Sequence, residues 1–77
     1  ACFEFDVDYF GYDIEKIEDG SVASAEECQT ICQSKAECFY FSYVSDKKNC
    51  YLKNSSALAG RIADSTTVGI VSGAKYC

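Results

Sequence analysis

The sequence predicts an α+β fold, a small disulfide-stapled domain of about five strands and one α-helix over about residues 24–35. Three observations predict it. The chain has 77 residues and six cysteines, about 8% Cys, an even count in a chain whose core is too small to be generously stable. Ser24–Glu27 opens a segment with helical periodicity. The segments on either side of it alternate with period two or run apolar, as strands do.

Cys2–Asp8 alternates apolar and acidic residues and reads as a strand with one buried face. Tyr9–Tyr12 reads as a turn in which Gly11 can take a positive φ. Asp13–Glu18 reads as an extended edge segment, closed by the turn pair Asp19-Gly20. In the helix the Ser24 hydroxyl is expected to accept from the Glu27 N–H, and Glu27 to return the bond. Glu26 and Glu27 suit the positive end of the helix dipole. Ala25, Cys28, Ile31 and Cys32 share one face, and Gln29, Thr30, Gln33 and Ser34 look outward. The helix is expected to end near Lys35.

Cys38–Val44 is rich in aromatics and reads as a central strand. Asp46–Asn49 is a polar turn and Cys50–Lys53 alternates again, so residues 38–53 form a hairpin. Of Phe3, Phe5, Phe39, Tyr40, Phe41 and Tyr43, about half or more are expected in the core. Residues 54–67 are small and polar, an expected surface loop, and Val68–Ser72 is the last strand. Neither an internal repeat nor a linker is visible, so residues 1–77 read as one domain. The missing Met suggests a processed protein or a domain excised from a longer one.

The charge is −5, unevenly placed. Residues 1–37 carry ten acids and two lysines, and residues 38–77 carry two acids and five bases. An acidic chain is poorly suited to nucleic acid, whose binding requires many cations against phosphates. It is equally unsuited to an anionic membrane surface, and no apolar run is long enough to span a bilayer.

The cysteines decide the chemistry. Zinc usually takes four ligands in close pairs or with His, but the sequence contains no His and Cys28, Cys32 and Cys38 follow a C-x3-C-x5-C spacing. The C-x-x-C motif of redox centres is absent. Disulfides remain, in one of 15 connectivities. Cys28 and Cys32 lie one helical turn apart with near-parallel Cβ directions, so they are poor partners for each other. Cys32 with Cys38, Cys28 with Cys50, and Cys2 with Cys77 is the natural set.

Catalysis has little to work with. A Ser or Cys nucleophile usually wants a His base, and acidic pairs such as Asp6 with Asp8 or Glu26 with Glu27 are explained by solvation and helix capping. Calcium at Asp6, Asp8 and Asp13 lacks the EF-hand order of ligands. No enzyme activity, metal or cofactor is therefore expected. Lys47, Lys48, Tyr51 and Lys53, on or near the hairpin turn, are the candidate contact patch. Asn54-Ser55-Ser56 is a glycosylation sequon in an expected loop.

The set Cys2-Phe3-Glu4, Tyr12-Asp13-Ile14, Ser24-Ala25-Glu26-Glu27-Cys28-Gln29-x-x-Cys32, Glu37-Cys38-x-x-Phe41-Ser42-Tyr43, Cys50-Tyr51-Leu52-Lys53 and Cys77 resembles the PAN/apple domain, most of all the tandem apple repeats of apicomplexan microneme adhesive proteins. The resemblance spans essentially the whole chain. It implies a twisted antiparallel sheet with the helix packed across it, and the same three bridges. It implies an extracellular binding module for a protein or glycan, with neighbouring apple repeats in the same chain, stored in micronemes and released to the parasite surface for host-cell attachment. A spacer repeat without its own ligand, or an apple repeat of a serine-protease zymogen, is the alternative. The family carries no universal ligand motif, so the resemblance implies no binding residue.

Overall fold

The computed structural model describes residues 3–76. Strands β1 (Phe3–Phe5), β2 (Asp8–Tyr9) and β3 (Asp13–Ile17) precede helix α1 (Ala25–Gln33). Strands β4 (Tyr40–Val44) and β5 (Asn49–Lys53), a 3₁₀ turn (Ala57–Gly60), β6 (Arg61–Ile62) and β7 (Ile70–Ala74) follow. Five strands form one antiparallel sheet in the order β1-β7-β4-β5-β3, and β2 pairs with β6 in a separate two-stranded ribbon.

The helix begins where its cap stands. Ser24 Oγ accepts from the Glu27 N–H at 3.1 Å, satisfying one of the open N–H groups of the first turn. Ala25, Cys28 and Cys32 are buried, and Ile31 packs against the same cluster. The helix stops at Gln33, two residues before the expected end, because Ser34 and Lys35 turn back onto Ile31 and Cys32 carbonyls. Gln29 and Gln33, expected to face outward, instead donate from their side-chain amides to the carbonyls of Ala74 and Lys75. They tie the helix to the end of β7.

The main core lies between helix and sheet. Alternation along β4 and β5 delivers Phe41, Tyr43, Cys50 and Leu52 to it, where they join Val22 and the helix cysteines. Cys28–Cys50 (Cα–Cα 5.5 Å) and Cys32–Cys38 (Cα–Cα 5.3 Å) bridge the helix to β5 and to the segment entering β4. The third expected pairing, Cys2 with Cys77, lies outside the described residues. Phe3 meets Phe41 edge to face at 5.6 Å. The Tyr43 hydroxyl donates to the Val22 carbonyl at 2.6 Å, so this buried polar tip is satisfied.

The other face carries a smaller cluster, Val7, Tyr9 and Ala57 with Tyr40 against it. Here the single-strand expectation for residues 2–8 fails. Asp6 takes a left-handed φ of 59°, which Asp tolerates better than most side chains. Its carboxylate accepts from the Gly69 N–H at 2.9 Å. The kink ends β1 at Phe5 and swings Val7 to the opposite side of the sheet. Phe5 is left 67% exposed. Residues 8–9, expected to border a turn, are instead β2, and the expected loop 54–67 supplies its partner β6. The last strand starts at Ile70 rather than Val68, since Gly69 turns the chain at φ 87°. The central strand starts at Tyr40 rather than Cys38. Of the six aromatics, Phe41 and Tyr43 are buried, Phe3 and Tyr40 are partly buried, and Phe5 and Phe39 are exposed.

Two buried serines fasten the β2–β6 strap to the sheet. Ser42 Oγ accepts from the Tyr9 N–H at 3.2 Å and lies 2.8 Å from Ser72 Oγ. Ser72 donates to the Val7 carbonyl at 2.7 Å. At the far side Arg61 makes a two-pronged ion pair with Glu4 (Nη2–Oε2 2.7 Å), which also accepts from the Tyr9 hydroxyl at 2.6 Å. The Arg61 and Tyr9 bonds hold the Glu4 carboxyl below its usual range. Burial and the bond to Glu4 push the Tyr9 phenol up.

Candidate functional site

The strap covers only part of the helix-free face. Beside it lies an open groove of about 410 Å³, a volume in the range of ligand clefts. Asp8, Phe10 and Gly11 form the wall on the strap side. Val44, Tyr51, Lys53 and Ile70 line the sheet, and Asp13, Lys16 and Glu18 come from β3 and its continuation.

The sheet register explains this gathering. Tyr51 stands opposite Ser42 on one side and Lys16 on the other. Lys53 stands opposite Tyr40 and Asp13. Since the Cys28–Cys50 bridge commits Cys50 to the helix side, period two sends Tyr51 and Lys53 to the groove side. A bulge between Asp13 and Glu15 shifts the β3 register by one residue. Asp13 and Lys16 therefore both face the groove.

The polar groups are mutually arranged. Lys53, only 4% exposed, forms an ion pair with Asp13 and lies 5.5 Å from the centre of the Tyr51 ring. The Tyr51 hydroxyl donates to Glu18 at 2.9 Å and accepts from the Asn49 side-chain amide at 3.4 Å. Burial first, and the Glu18 bond second, raise the Tyr51 phenol above its usual value. It stays protonated and a donor at neutral pH. Phe10, 67% exposed, stands at the rim. Tyr12, between the lining residues Gly11 and Asp13, holds a φ of 60°, a rare conformation for a bulky side chain. Its carbonyl is held by the Asn54 N–H at 3.0 Å.

The four residues read as a contact patch from the sequence divide here. Tyr51 and Lys53 line the groove, with Lys53 nearly buried, while Lys47 and Lys48 stay on the exposed hairpin turn and form no part of it. Asp6, Asp8 and Asp13, weighed as calcium ligands, serve separate ends. Asp6 fixes the kink at Gly69, Asp13 pairs with Lys53, and Asp8 faces the groove. No cluster of three or more metal-ligating side chains occurs among the described residues. Asn54 follows β5 directly, its side-chain oxygen Oδ1 accepting from the Ser56 N–H at 2.8 Å. The sequence reading missed the wall residues Phe10 and Gly11 and the sheet residues Val44 and Ile70. The phase fixed by Cys50 was the available signal for the sheet side. The strap wall left no such signal, because it depends on a two-residue ribbon.

A family model for the PAN domain matches residues 2–77. Microneme antigen L2 of Sarcocystis muris is 32% identical over all 77 residues, and the chain spans about half (51%) of that relative's length. The solution structure of the two N-terminal apple domains of Toxoplasma gondii microneme protein 4 superposes with a TM-score of 0.77 at 26% identity, over 95% of this chain and 44% of that one. A PAN module from Eimeria tenella gives 0.65 at 26% identity, over 100% of this chain and 81% of that one. The family model covers residues 2–77 and the fold superposes on two solved relatives, and this chain belongs to the PAN domain family.

Proposed function

We propose that this domain is an extracellular adhesive module, and that its ligand-contact surface is the groove on the helix-free face. One observation carries the proposal. Phe10, Tyr51, Asp8 and Glu18 meet around a concave opening and lie outside both hydrophobic clusters. An exposed aromatic rim, fixed hydroxyl and carboxylate groups, and a backbone strained at Tyr12 are features expected of a binding surface. They suit a protein or a glycan, and attachment to a host-cell surface is the role that fits a relative of microneme proteins. No catalytic role is proposed, since the groove offers neither a His nor a free thiol to activate a nucleophile.

The domain is read as one repeat, residues 1–77, of a longer secreted protein with neighbouring copies. Two disulfides within the described residues and relatives of greater length support that reading. Cys2 is proposed to join Cys77, closing the repeat on itself. Lys47 and Lys48 are proposed to lie outside the contact surface. Asn54 is proposed as a glycan acceptor in hosts with the machinery, because the Asx turn occupies its side-chain oxygen Oδ1 rather than its side-chain nitrogen.

The test is a glycan array run beside solid-phase binding to cultured host cells, using the oxidised domain and a Phe10→Ser, Asp8→Asn variant. Binding that falls about tenfold or more in the variant is expected. Equal binding by both proteins would reject the groove as the contact surface. No binding in either format would favour a spacer repeat.

A further inference from the structure

We infer that the free edge of β3, together with the groove beside it, takes an extended basic polypeptide by strand addition. The inference rests on the groove being the ligand-contact surface, and it commits that surface to a polypeptide.

β3 is an outer strand of the sheet, with β5 on one side and no strand on the other among the described residues. Its residues Asp13–Lys16 are exposed and Ile17 is half-buried. An outer strand presents backbone N–H and C=O groups ready to pair with another chain. The opposite edge, β1, has three residues among those described, against five in β3, so β3 is the better template. Exposed Phe10, Tyr12 and Ile14 precede or lie in the same segment, which gives an added strand apolar surface to cover.

Charge selects the partner. Between residues 8 and 19 stand Asp8, Asp13, Glu15, Glu18 and Asp19, against Lys16 as the one cation of the segment. Lys53 pairs with Asp13 and Lys35 with Glu15, so Asp8, Glu18 and Asp19 carry the remaining negative charge. Like charges directly opposite each other across two strands are destabilising. The edge therefore rejects a second copy of itself and any acidic strand, and favours one rich in Lys or Arg. Charged edges with a bulge, as between Asp13 and Glu15, guard natural sheets against indiscriminate pairing. Here the guard keeps a net negative charge after the Lys35 and Lys53 pairs and leaves a basic strand admissible.

The groove adds selectivity. Lys16 stands directly opposite Tyr51, whose hydroxyl is bound to Glu18. Alternate side chains of a strand laid along β3 project to the groove side. A Lys or Arg there is placed to meet Glu18 and Asp8. Main-chain bonds for affinity and pockets for alternate side chains are the two parts of recognition by strand addition.

The test titrates the isotope-labelled, disulfide-intact chain with two synthetic ten-residue peptides. One alternates Lys with Val or Thr, and the other has Glu in place of Lys. The expected result is amide shifts and slowed hydrogen exchange at Glu15–Ile17, with further shifts at Tyr51 and Asp8, for the Lys peptide, and about tenfold weaker effects for the Glu peptide. A Glu15→Lys, Glu18→Lys variant, which also removes the Lys35 ion pair and the Tyr51 hydroxyl's acceptor, is expected to lose the Lys-peptide response by about tenfold at an unchanged fold by its amide spectrum. Equal responses to both peptides, no change in β3, or β3 protection without shifts at Tyr51 and Asp8 would overturn the inference. If a glycan shifts Tyr51 and Asp8 while the Lys peptide leaves β3 unchanged, the strand-addition inference falls and the groove as contact surface stands.

Discussion

Lys53 is almost fully buried and paired with Asp13, which is itself partly exposed. Removing that partner leaves a buried cation with poor compensation. Asp13→Ala is expected to cost about 2–3 kcal/mol in chemical denaturation, below the range for a fully buried pair because water reaches Asp13. The double variant Asp13→Ala, Lys53→Met should recover most of that loss, and a double variant less stable than Asp13→Ala would contradict the account. Glu4 gives a second test at this scale. Its carboxyl is held low by Arg61 and then Tyr9, so its contribution is fully present above the unfolded value of about 4.3 and is lost as pH falls through the lower folded value. Glu4→Gln should be less stable than the parent at pH 6 and show a shallower loss between pH 5 and the acid transition. Parallel pH–stability curves for the two proteins would refute it.

At the scale of elements, the strap and the helix cap are the informative pieces. A Cβ on Gly60 would collide with the carbonyl oxygen of Phe10, the very residue whose N–H donates to the Gly60 carbonyl at 2.8 Å. Gly60→Ala must push the 3₁₀ turn away from β2, at about 1–3 kcal/mol by analogy with overpacking. Loosened amide protection at Phe10 and Tyr9, with the helix unaffected, is the expected hydrogen-exchange signature. Ser24→Ala removes the helix cap and should cost about 1 kcal/mol while leaving strap protection intact. The helix was legible in the sequence because capping and 3.6-residue periodicity act locally. The phase of β4 and β5 was legible because cysteine and aromatic positions alternate. The strap was not, since a two-residue strand has no periodicity to read and its existence rests on Asp6 changing faces. The end at Gln33 was missed because Ser34 and Lys35 close the helix with a tighter turn onto the Ile31 and Cys32 carbonyls, and the inward role of Gln29 and Gln33 was missed because their partners are the distant carbonyls of Ala74 and Lys75. The groove inherits this division. Its Tyr51 and Lys53 side follows from local alternation, and its Phe10 and Gly11 side from a long-range pairing.

For the whole molecule, the disulfides hold the helix to the sheet while the groove forms on the other side. Bridge Cys28–Cys50 spans 22 positions and Cys32–Cys38 spans 6. On the chain-entropy account their removal costs about 3.4 and about 2.4 kcal/mol respectively. Cys28→Ala, Cys50→Ala should therefore melt below Cys32→Ala, Cys38→Ala, and the reverse order would show that local packing outweighs loop closure. Both bridges lie on the helix side, so the groove residues Phe10 and Asp8, in the proposed contact surface, can vary without emptying the main core. Cell-surface binding by the oxidised domain tests that division most directly, comparing Phe10→Ser, Asp8→Asn in the groove with Lys47→Ser, Lys48→Asn on the hairpin turn. The account predicts that the groove variant loses binding about tenfold or more at unchanged melting temperature while the turn variant binds as the parent does. Loss confined to the turn variant, or equal binding by all three, would contradict it.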